Sequence, residues 1–422
     1  MQVTVFPSVA TGKISAIASK SVAHRLLICA SFADKPSTIR CEQINDDIIA
    51  TAECLTALGA TITRREYFYD VTPIKNVNKN AILNCNESGS TLRFLLPVCA
   101  VLDGNFTFKM QGRLPSRPLS PLEELLEENG IAISHPTQDT LAVSGKLTGS
   151  ELEIAGNVSS QFISGLLFAL SISKSKEKKT LKITTKIESE PYINLTLDAL
   201  SAFGVSITKN ENCFIIPENS DFIAPQSLNV EGDWSNAAFP LALGIIGKGE
   251  VSVENLLPSS QQGDKKIVEI LRAFGGKIEE HGNCFTAYPS KLRAIDINAE
   301  NIPDLVPILA TVASVAEGTT VIYGASRLRL KESDRLMTVS SFLSELGADI
   351  HQTDDGLIIN GKKKLNGGCV NSFGDHRIAM SVAIASSVCE NQVVLQGAEA
   401  VNKSYPDFWQ DMNALGVIYK EN

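Results

Sequence analysis

The sequence predicts an α/β (α+β) fold built from six copies of one two-helix unit, because three signals recur together at a period of about 70 residues. The first is a short apolar helix end followed by glycine and an alternating strand. Glycine is expected just past a helix because it takes the left-handed conformation without a Cβ clash. The second is a polar turn ahead of a β-rich stretch, each after an apolar, helix-like run such as residues 309–315 or 378–388. The third is a Ser or Asp at a helix start, where its side chain can cap exposed N–H groups.

In chain order, the first unit starts its helix at Ser21, turns near Lys35 and ends its second helix at Gly59. The second does so at Ser90, Gly104 and Gly130, and the third at Ser160, Glu177 and Gly204. The fourth uses Ser235, Gly249 and Gly275, the fifth Asp304, Gly318 and Gly347, and the sixth Asp375, Asn391 and Gly416. These units account for nearly all of the 422 residues.

Composition narrows the class. Asp plus Glu number 47 against 38 Lys plus Arg, a net charge of −9, which argues against a general nucleic-acid or anionic-membrane binder. It leaves room for a small anion held in a local basic site. No apolar run approaches the roughly 18 residues of a membrane span. Residues 1–7 have neither the basic-then-apolar layout of a signal peptide nor the Arg/Ser richness of a transit peptide. The nine cysteines are odd in number, are never spaced C-x-x-C, and in part (Cys29, Cys99) sit in apolar runs as core residues. Neither a disulfide framework nor a zinc site is expected, and the expected location is the reducing cytoplasm. The charge-rich stretches 174–179 and 362–364 read as solvated loops.

Uncommon polar clusters gather at the helix starts. Lys20-Ser21 with Arg25 opens the first, residues 87–93 (Glu-Ser-Gly-Ser-Thr-Leu-Arg) the second, and Ser159-Ser160-Gln161 the third. Ile302-Pro303-Asp304 opens the fifth and Gly374-Asp375-His376-Arg377 the sixth. Helix N-termini carry unpaired N–H groups and partial positive charge, so they suit phosphates and carboxylates. A Ser-Ser pair alone reads as a cap, and an Arg one turn in as a surface charge. Arg93 departs from that reading, because it lies in the apolar run Leu92–Leu96 and needs a partner there. Lys331-Glu332-Ser333-Asp334-Arg335, preceded by Arg327 and Arg329, is denser still; Arg113, Arg117 and Lys403 are further basic candidates.

Taken in order, these motifs make the chain resemble the enolpyruvyl transferase family, in particular its 5-enolpyruvylshikimate-3-phosphate synthases. The resemblance runs through Lys20-Ser21, residues 89–93, Arg117-Pro118, Ser159–Phe162, Ser189–Tyr192, Pro303-Asp304, Lys331–Arg335, Asp375–Arg377 and Lys403. It implies two domains of three units each, an inside-out α/β barrel fold, with the active site in a cleft between them. Residues 1–13 and 231–422 would form one domain and residues 14–230 the other, so that the first strand joins the C-terminal half.

The implied reaction moves the enolpyruvyl group of phosphoenolpyruvate onto the 5-hydroxyl of shikimate 3-phosphate and releases phosphate, with no metal or organic cofactor. The expected partners are small anionic substrates, with no nucleic acid or membrane, and the expected state is a monomer. Position by position, the resemblance gives Ser21 and Arg25 to the shikimate carboxylate and Ser159, Ser160, Ser189 and Lys331 to its phosphate. Asp304 would contact the ring hydroxyls. Gly89, Arg117, Gln161, Arg335, Arg377 and Lys403 would surround phosphoenolpyruvate, with Lys20 touching both substrates. Asp304, Glu332 and Lys20 would be catalytic, Arg93 would support the Gly89 turn, and His24 and His376 would be structural.

Three positions depart from the family pattern. Glu87 and Arg327 stand where Asn is common, and Phe94 where Pro is frequent. A carboxylate at Glu87 would repel phosphoenolpyruvate unless Arg93 or Arg117 paired with it. Two rival readings fit less well. The sister transferase acting on UDP-N-acetylglucosamine typically has Cys in the loop before its Arg-Pro and Asn after its first Lys; here residues 111–118 have no Cys and Ser21 follows Lys20. A non-catalytic repeat scaffold has no need of Lys20, Asp304, Glu332 and Arg377 near equivalent helix starts.

Overall fold

The six periodic glycines all occupy the left-handed region, with φ of +118° at Gly59, +92° at Gly130, +82° at Gly204, +97° at Gly275, +90° at Gly347 and +89° at Gly416. Each follows the second helix of a repeat, so the period read from the sequence is the period of the fold. The computed structural model describes residues 1–42 and 45–422. The helices come in pairs. α1 (Lys20–Ser31) and α2 (Asp46–Leu58), α3 (Gly89–Val101) and α4 (Leu122–Glu128), and α5 (Ser160–Ile172) and α6 (Glu190–Ala202) fill the first three repeats. α7 (Trp234–Ile246) and α8 (Ile267–Ala273), α9 (Val306–Ala313) and α10 (Arg335–Glu345), and α11 (His376–Ala385) and α12 (Phe408–Ala414) fill the last three.

The described strands form six four-stranded sheets of one design, and none closes into a barrel. In the third repeat, Glu151–Ile154 runs parallel to Lys179–Ile183 through the crossover helix α5. α6 then leads to the hairpin Thr208–Asn210 and Cys213–Ile216, whose second strand pairs antiparallel with Lys179–Ile183. Buried and exposed residues alternate along Lys179–Ile183, so one sheet face meets the helices. The second and fifth repeats follow the same order.

At three places the chain order is broken. The sixth sheet takes its remaining strand from the N-terminus, because Gln2–Phe6 pairs antiparallel with both Val393–Gln396 and Ile418–Glu421. The strand just before α1, Gly12–Ser15, does not join the first sheet; it pairs parallel with Val251–Glu254, the strand after α7. The strand before α7, Ser227–Asn229, pairs instead with Ser37–Arg40, the strand after α1. The two repeats thus exchange their leading strands.

The exchange divides the chain into two units, Met1–Ser19 with Glu231–Asn422 and Lys20–Val230, each with three sheets. The sequence reading put the first crossover at residue 13; the structure places it between Ser19 and Lys20. A break at 13 would cut the strand Gly12–Ser15 in two. Residues beyond that strand stay tied to the same unit, with Ser19 N–H donating to Glu231 O and Asp233 N–H to Ile17 O, both at 2.8 Å.

The first helix of each repeat is buried nearly all round, as apolar sequence on every side requires. In the unit Lys20–Val230, Phe94 of α3 meets His24 of α1 and Phe168 of α5 edge-on. Gly165 of α5 sits against the α3 backbone, where a Cβ would come within 2.3 Å of Arg93 O. Only glycine permits that approach. In the other unit α7, α9 and α11 pack on one another. Cys29 and Cys99 are buried core residues, as expected. Lys179 is not part of a solvated loop: it is buried and donates to the carbonyls of Leu170 and Ser173 at the end of α5. No described helix is long and apolar enough to cross a membrane.

Candidate active site

The polar clusters at the helix starts become two groups of side chains, one per unit. In the unit Lys20–Val230, Lys20 is the first residue of α1 and its Nζ lies 3.0 Å from Asp47 Oδ2 in the first turn of α2. Ser21 follows. Arg25, one turn on and 2% exposed, donates from Nε to Thr196 Oγ1 (2.8 Å), from Nη1 to Ser21 O (2.5 Å) and from Nη2 to Tyr192 O (2.8 Å). Its guanidinium also lies 4.9 Å over the Phe94 ring. Every one of these partners is neutral, and no described carboxylate pairs with Arg25. Burial lowers its pKa to about 10, so it stays charged near neutral pH. A buried cation held by neutral acceptors favours an anion at this spot.

Ser88 caps α3, accepting from Thr91 N, and Gly89 is the first helical residue. A Cβ on Gly89 would stand 2.8 Å from Arg117 Nη1 and 3.1 Å from Arg93 Nη1, so both guanidinium tips lie over the glycine. Arg93 donates to Gln161 Oε1 (2.9 Å) and Pro118 O (3.2 Å), while Gln161 Nε2 donates to Ser90 Oγ (2.8 Å). Gln161 is therefore clamped between the starts of α3 and α5. Ser159 caps α5 and Ser160 is its buried first residue. Ser189 precedes α6 at φ +55°, an unusual conformation for a residue with a Cβ and one often found at functional sites. The Glu87 carboxylate lies where a Cβ on Gly112 would stand. Phe94 is buried between α1 and α5.

In the other unit the basic and acidic residues interlock. Arg335, 1% exposed at the start of α10, donates from Nη1 to Asp304 Oδ1 (2.6 Å), from Nη2 to Glu332 Oε2 (2.9 Å) and from Nε to Asp375 Oδ2 (2.8 Å). Lys331 Nζ lies 3.4 Å and Arg377 Nη2 3.6 Å from Asp304. Burial alone would raise the Asp304 carboxyl, yet Lys331, Arg377 and Arg335 hold it well below the usual carboxylate range. Asp375 caps α11 while gripping Arg335, so one side chain both starts a helix and orients a cation. Lys403 ends the turn Ala398–Lys403; its neighbour Ser404 donates to Asn236 of α7 at 3.4 Å. Arg327 donates to Glu300 O at 2.8 Å.

The basic residues that the resemblance matches (Lys20, Arg25, Arg93, Arg117, Lys331, Arg335, Arg377 and Lys403) do not share one environment. Lys331, Arg335 and Arg377 are paired with carboxylates and Lys20 with Asp47, whereas Arg25 meets only neutral acceptors. Side chains outside the motifs complete the two groups: Asp47 meets Lys20, Thr196 meets Arg25, Asp375 holds Arg335, and Arg377 donates to the carbonyl of Ser235, whose hydroxyl donates to Asp264. Asp47 reads in sequence as an ordinary acidic first-turn residue, and Asp264 as one charge in a polar turn. Only distant partners reveal either. His24 and His376 are buried, and His24 bonds Thr51 Oγ1 at 2.7 Å.

Two units of three such repeats, with cations and caps at helix starts, define an enolpyruvyl transferase fold. The fold matches an EPSP synthase from Acinetobacter baumannii (TM-score 0.83, 24% identity, 99% of both chains) and an enolpyruvyl transferase from Streptomyces tendae (TM-score 0.81, 16% identity, 100% of this chain and 98% of that one). Residues 7–412 match the family model of EPSP synthase (3-phosphoshikimate 1-carboxyvinyltransferase), and the chain belongs to that family. It is 41% identical over 416 residues to the 3-phosphoshikimate 1-carboxyvinyltransferase of Clostridium kluyveri, covering 98% of this chain and 97% of that one. A Clostridium perfringens protein of the same name is 43% identical over 427 residues, covering 100% and 99%.

Proposed function

We propose that the chain transfers the enolpyruvyl group of phosphoenolpyruvate to the 5-hydroxyl of shikimate 3-phosphate, and that the helix-start residues above are its working parts. Family membership supports the reaction. The observation that carries the roles is the pair of carboxylates, Asp304 and Glu332, held on one buried guanidinium with Lys331 and Arg377 beside them.

The two substrates bring about six negative charges at neutral pH. Arg335 and Arg377 offer forked N–H pairs to phosphoenolpyruvate; Gly89, Arg117, Gln161 and Lys403 complete its surroundings. Arg25 and Ser21 take the shikimate carboxylate, and Ser159, Ser160, Ser189 and Lys331 the phosphate. Lys20 contacts both substrates. In the addition step Asp304 accepts the 5-hydroxyl proton as that oxygen bonds C2 of phosphoenolpyruvate, and Glu332, entering the step as the carboxylic acid, gives its proton to C3. In the elimination Glu332 regains a proton from the methyl group, C2 releases phosphate, which leaves with the proton taken up by Asp304, and Lys20 stabilises the departing charge. Asp304 is held ionised, ready to accept a proton. Anions bound to Arg335 and Arg377 draw positive charge away from it and so raise its basicity when both substrates are present.

The same reading has the chain act as a cytoplasmic monomer on diffusible anions, without a cofactor. Phosphate release on mixing the two substrates, compared with each alone, tests the reaction. A folded sample that releases none from the pair refutes it.

A further inference from the structure

Asp264 lies in the short turn Gly263–Lys266 ahead of α8, 1% exposed and away from the motifs that suggested the site. Its Oδ2 accepts a hydrogen bond from Ser235 Oγ in the first turn of α7. The carbonyl oxygen of the same Ser235 accepts from Arg377 Nη1 at 3.2 Å, and Arg377 Nη2 stands 3.6 Å from Asp304 Oδ2. A continuous chain therefore runs from the turn before α8, through α7 and α11, to Asp304. Arg377 is 2% exposed, so its direction is set by these few contacts rather than by solvent.

We propose that Asp264 is a positioning residue for Arg377: its carboxylate fixes Ser235 and offsets the pull of Asp304, leaving the guanidinium aimed at an incoming anionic substrate. The inference rests on the reading of Arg377 as a phosphoenolpyruvate ligand. Without the Asp264 charge, Arg377 turns toward Asp304, and an anion must break a stronger ion pair to bind.

The proposal has a pH signature. The groups facing Asp264 include Ser235 and Asp233 from α7 and its cap, Arg377 from α11 and Asp304 from the turn before α9. Burial first, then the charge of Asp304, push its carboxyl up to about 6, against the opposing effects of Arg377 and the Ser235 hydroxyl. Asp264 is therefore ionised above about pH 6 and loses its charge below it.

Two variants separate charge from hydrogen bond. Asp264→Asn keeps an acceptor for Ser235 but loses the charge; Ser235→Ala keeps the charge but loses the bond. In steady-state assays from pH 5 to 8, Asp264→Asn should raise KM for phosphoenolpyruvate about tenfold at pH 7.5, as loss of a buried charge contact does. It should change kcat by less than about threefold, leave shikimate 3-phosphate affinity unchanged, and flatten the rise in KM below pH 6. Ser235→Ala should raise the same KM less and keep that rise. A general structural defect would lower kcat and both affinities together. A phosphoenolpyruvate KM within twofold of the unaltered chain, with the rise below pH 6 intact, overturns the proposal. If Asp264→Asn does not fold, a Ser235→Ala KM within twofold of the unaltered chain overturns it. Absence of turnover in the unaltered chain instead refutes the functional reading.

Discussion

Arg335 is the side chain on which most of the second polar group hangs, and removing it tests both stability and site. Arg335→Gln deletes a fully buried cation that binds Asp304, Glu332 and Asp375, the last of which is itself 0% exposed. Removing one partner of a buried ion pair costs ~3–5 kcal/mol because the other charge is left uncompensated. For a unit of this size each kcal/mol lowers Tm by roughly 2–4 °C, so the variant should melt about 10 °C lower at pH 7. The loss depends on pH. Arg335 is among the cations that hold Asp304 low, so in the unaltered chain Asp304 contributes stability above its unfolded pKa and loses it as pH falls through the folded value. In the variant Asp304 loses one of the cations that hold it low and protonates more readily, so the gap between the two chains should narrow as pH falls from 7 to 4.5. Thermal melts followed by circular dichroism at the two pH values measure this. A Tm within about 2 °C of the unaltered chain at pH 7, or an equal gap at both pH values, would refute the assigned role of Arg335.

Three further outcomes follow from the same contacts. Glu332→Gln should nearly abolish phosphate release while calorimetry shows shikimate 3-phosphate binding largely retained; unchanged turnover rejects the acid–base role. Gly165→Ala drives a Cβ to within 2.3 Å of Arg93 O, an overpacking that should destabilise the unit by about 1–3 kcal/mol and displace α3 from α5; an unchanged urea midpoint contradicts it. His24 is held neutral, its pKa lowered to about 3 by burial and then by Lys20 and Arg25, against the pull of Asp47. Below about pH 6.5 the unfolded chain therefore binds the proton that the folded chain refuses, and stability falls with pH. His24→Gln should make the urea midpoint less sensitive between pH 7 and 5; an identical slope rejects this account.

Much of the architecture was legible in the sequence because it is local. A helix end, its glycine and the strand beyond lie within a few residues, and Gly59 through Gly416 announce a left-handed backbone by residue type alone. The caps were legible only to within a residue or two: Asp375 caps α11 where the sequence places it, whereas Ser88, Ser159 and Asp233 cap α3, α5 and α7 one or two residues ahead of Ser90, Ser160 and Ser235, Ser21 lies inside α1, and Asp304 sits within the turn Pro303–Leu305. Lys179 was misread because its acceptors end the preceding helix, and charge alone suggested solvent.

Sequence by itself determined the repeat, its count and the phase in which the charged residues fall at helix starts, since propensity and capping act over a few residues. Tertiary structure decided which strand pairs with which. Gly12–Ser15 and Ser227–Asn229 precede equivalent helices, so no local preference distinguishes their partners, and only packing in the whole unit selects the exchange. It also decided what each charge means. Arg25 and Arg335 look alike in sequence, yet one is buried among neutral acceptors and the other among three carboxylates. The energy of a buried charge is set by its neighbours in space, and those come from distant parts of the chain.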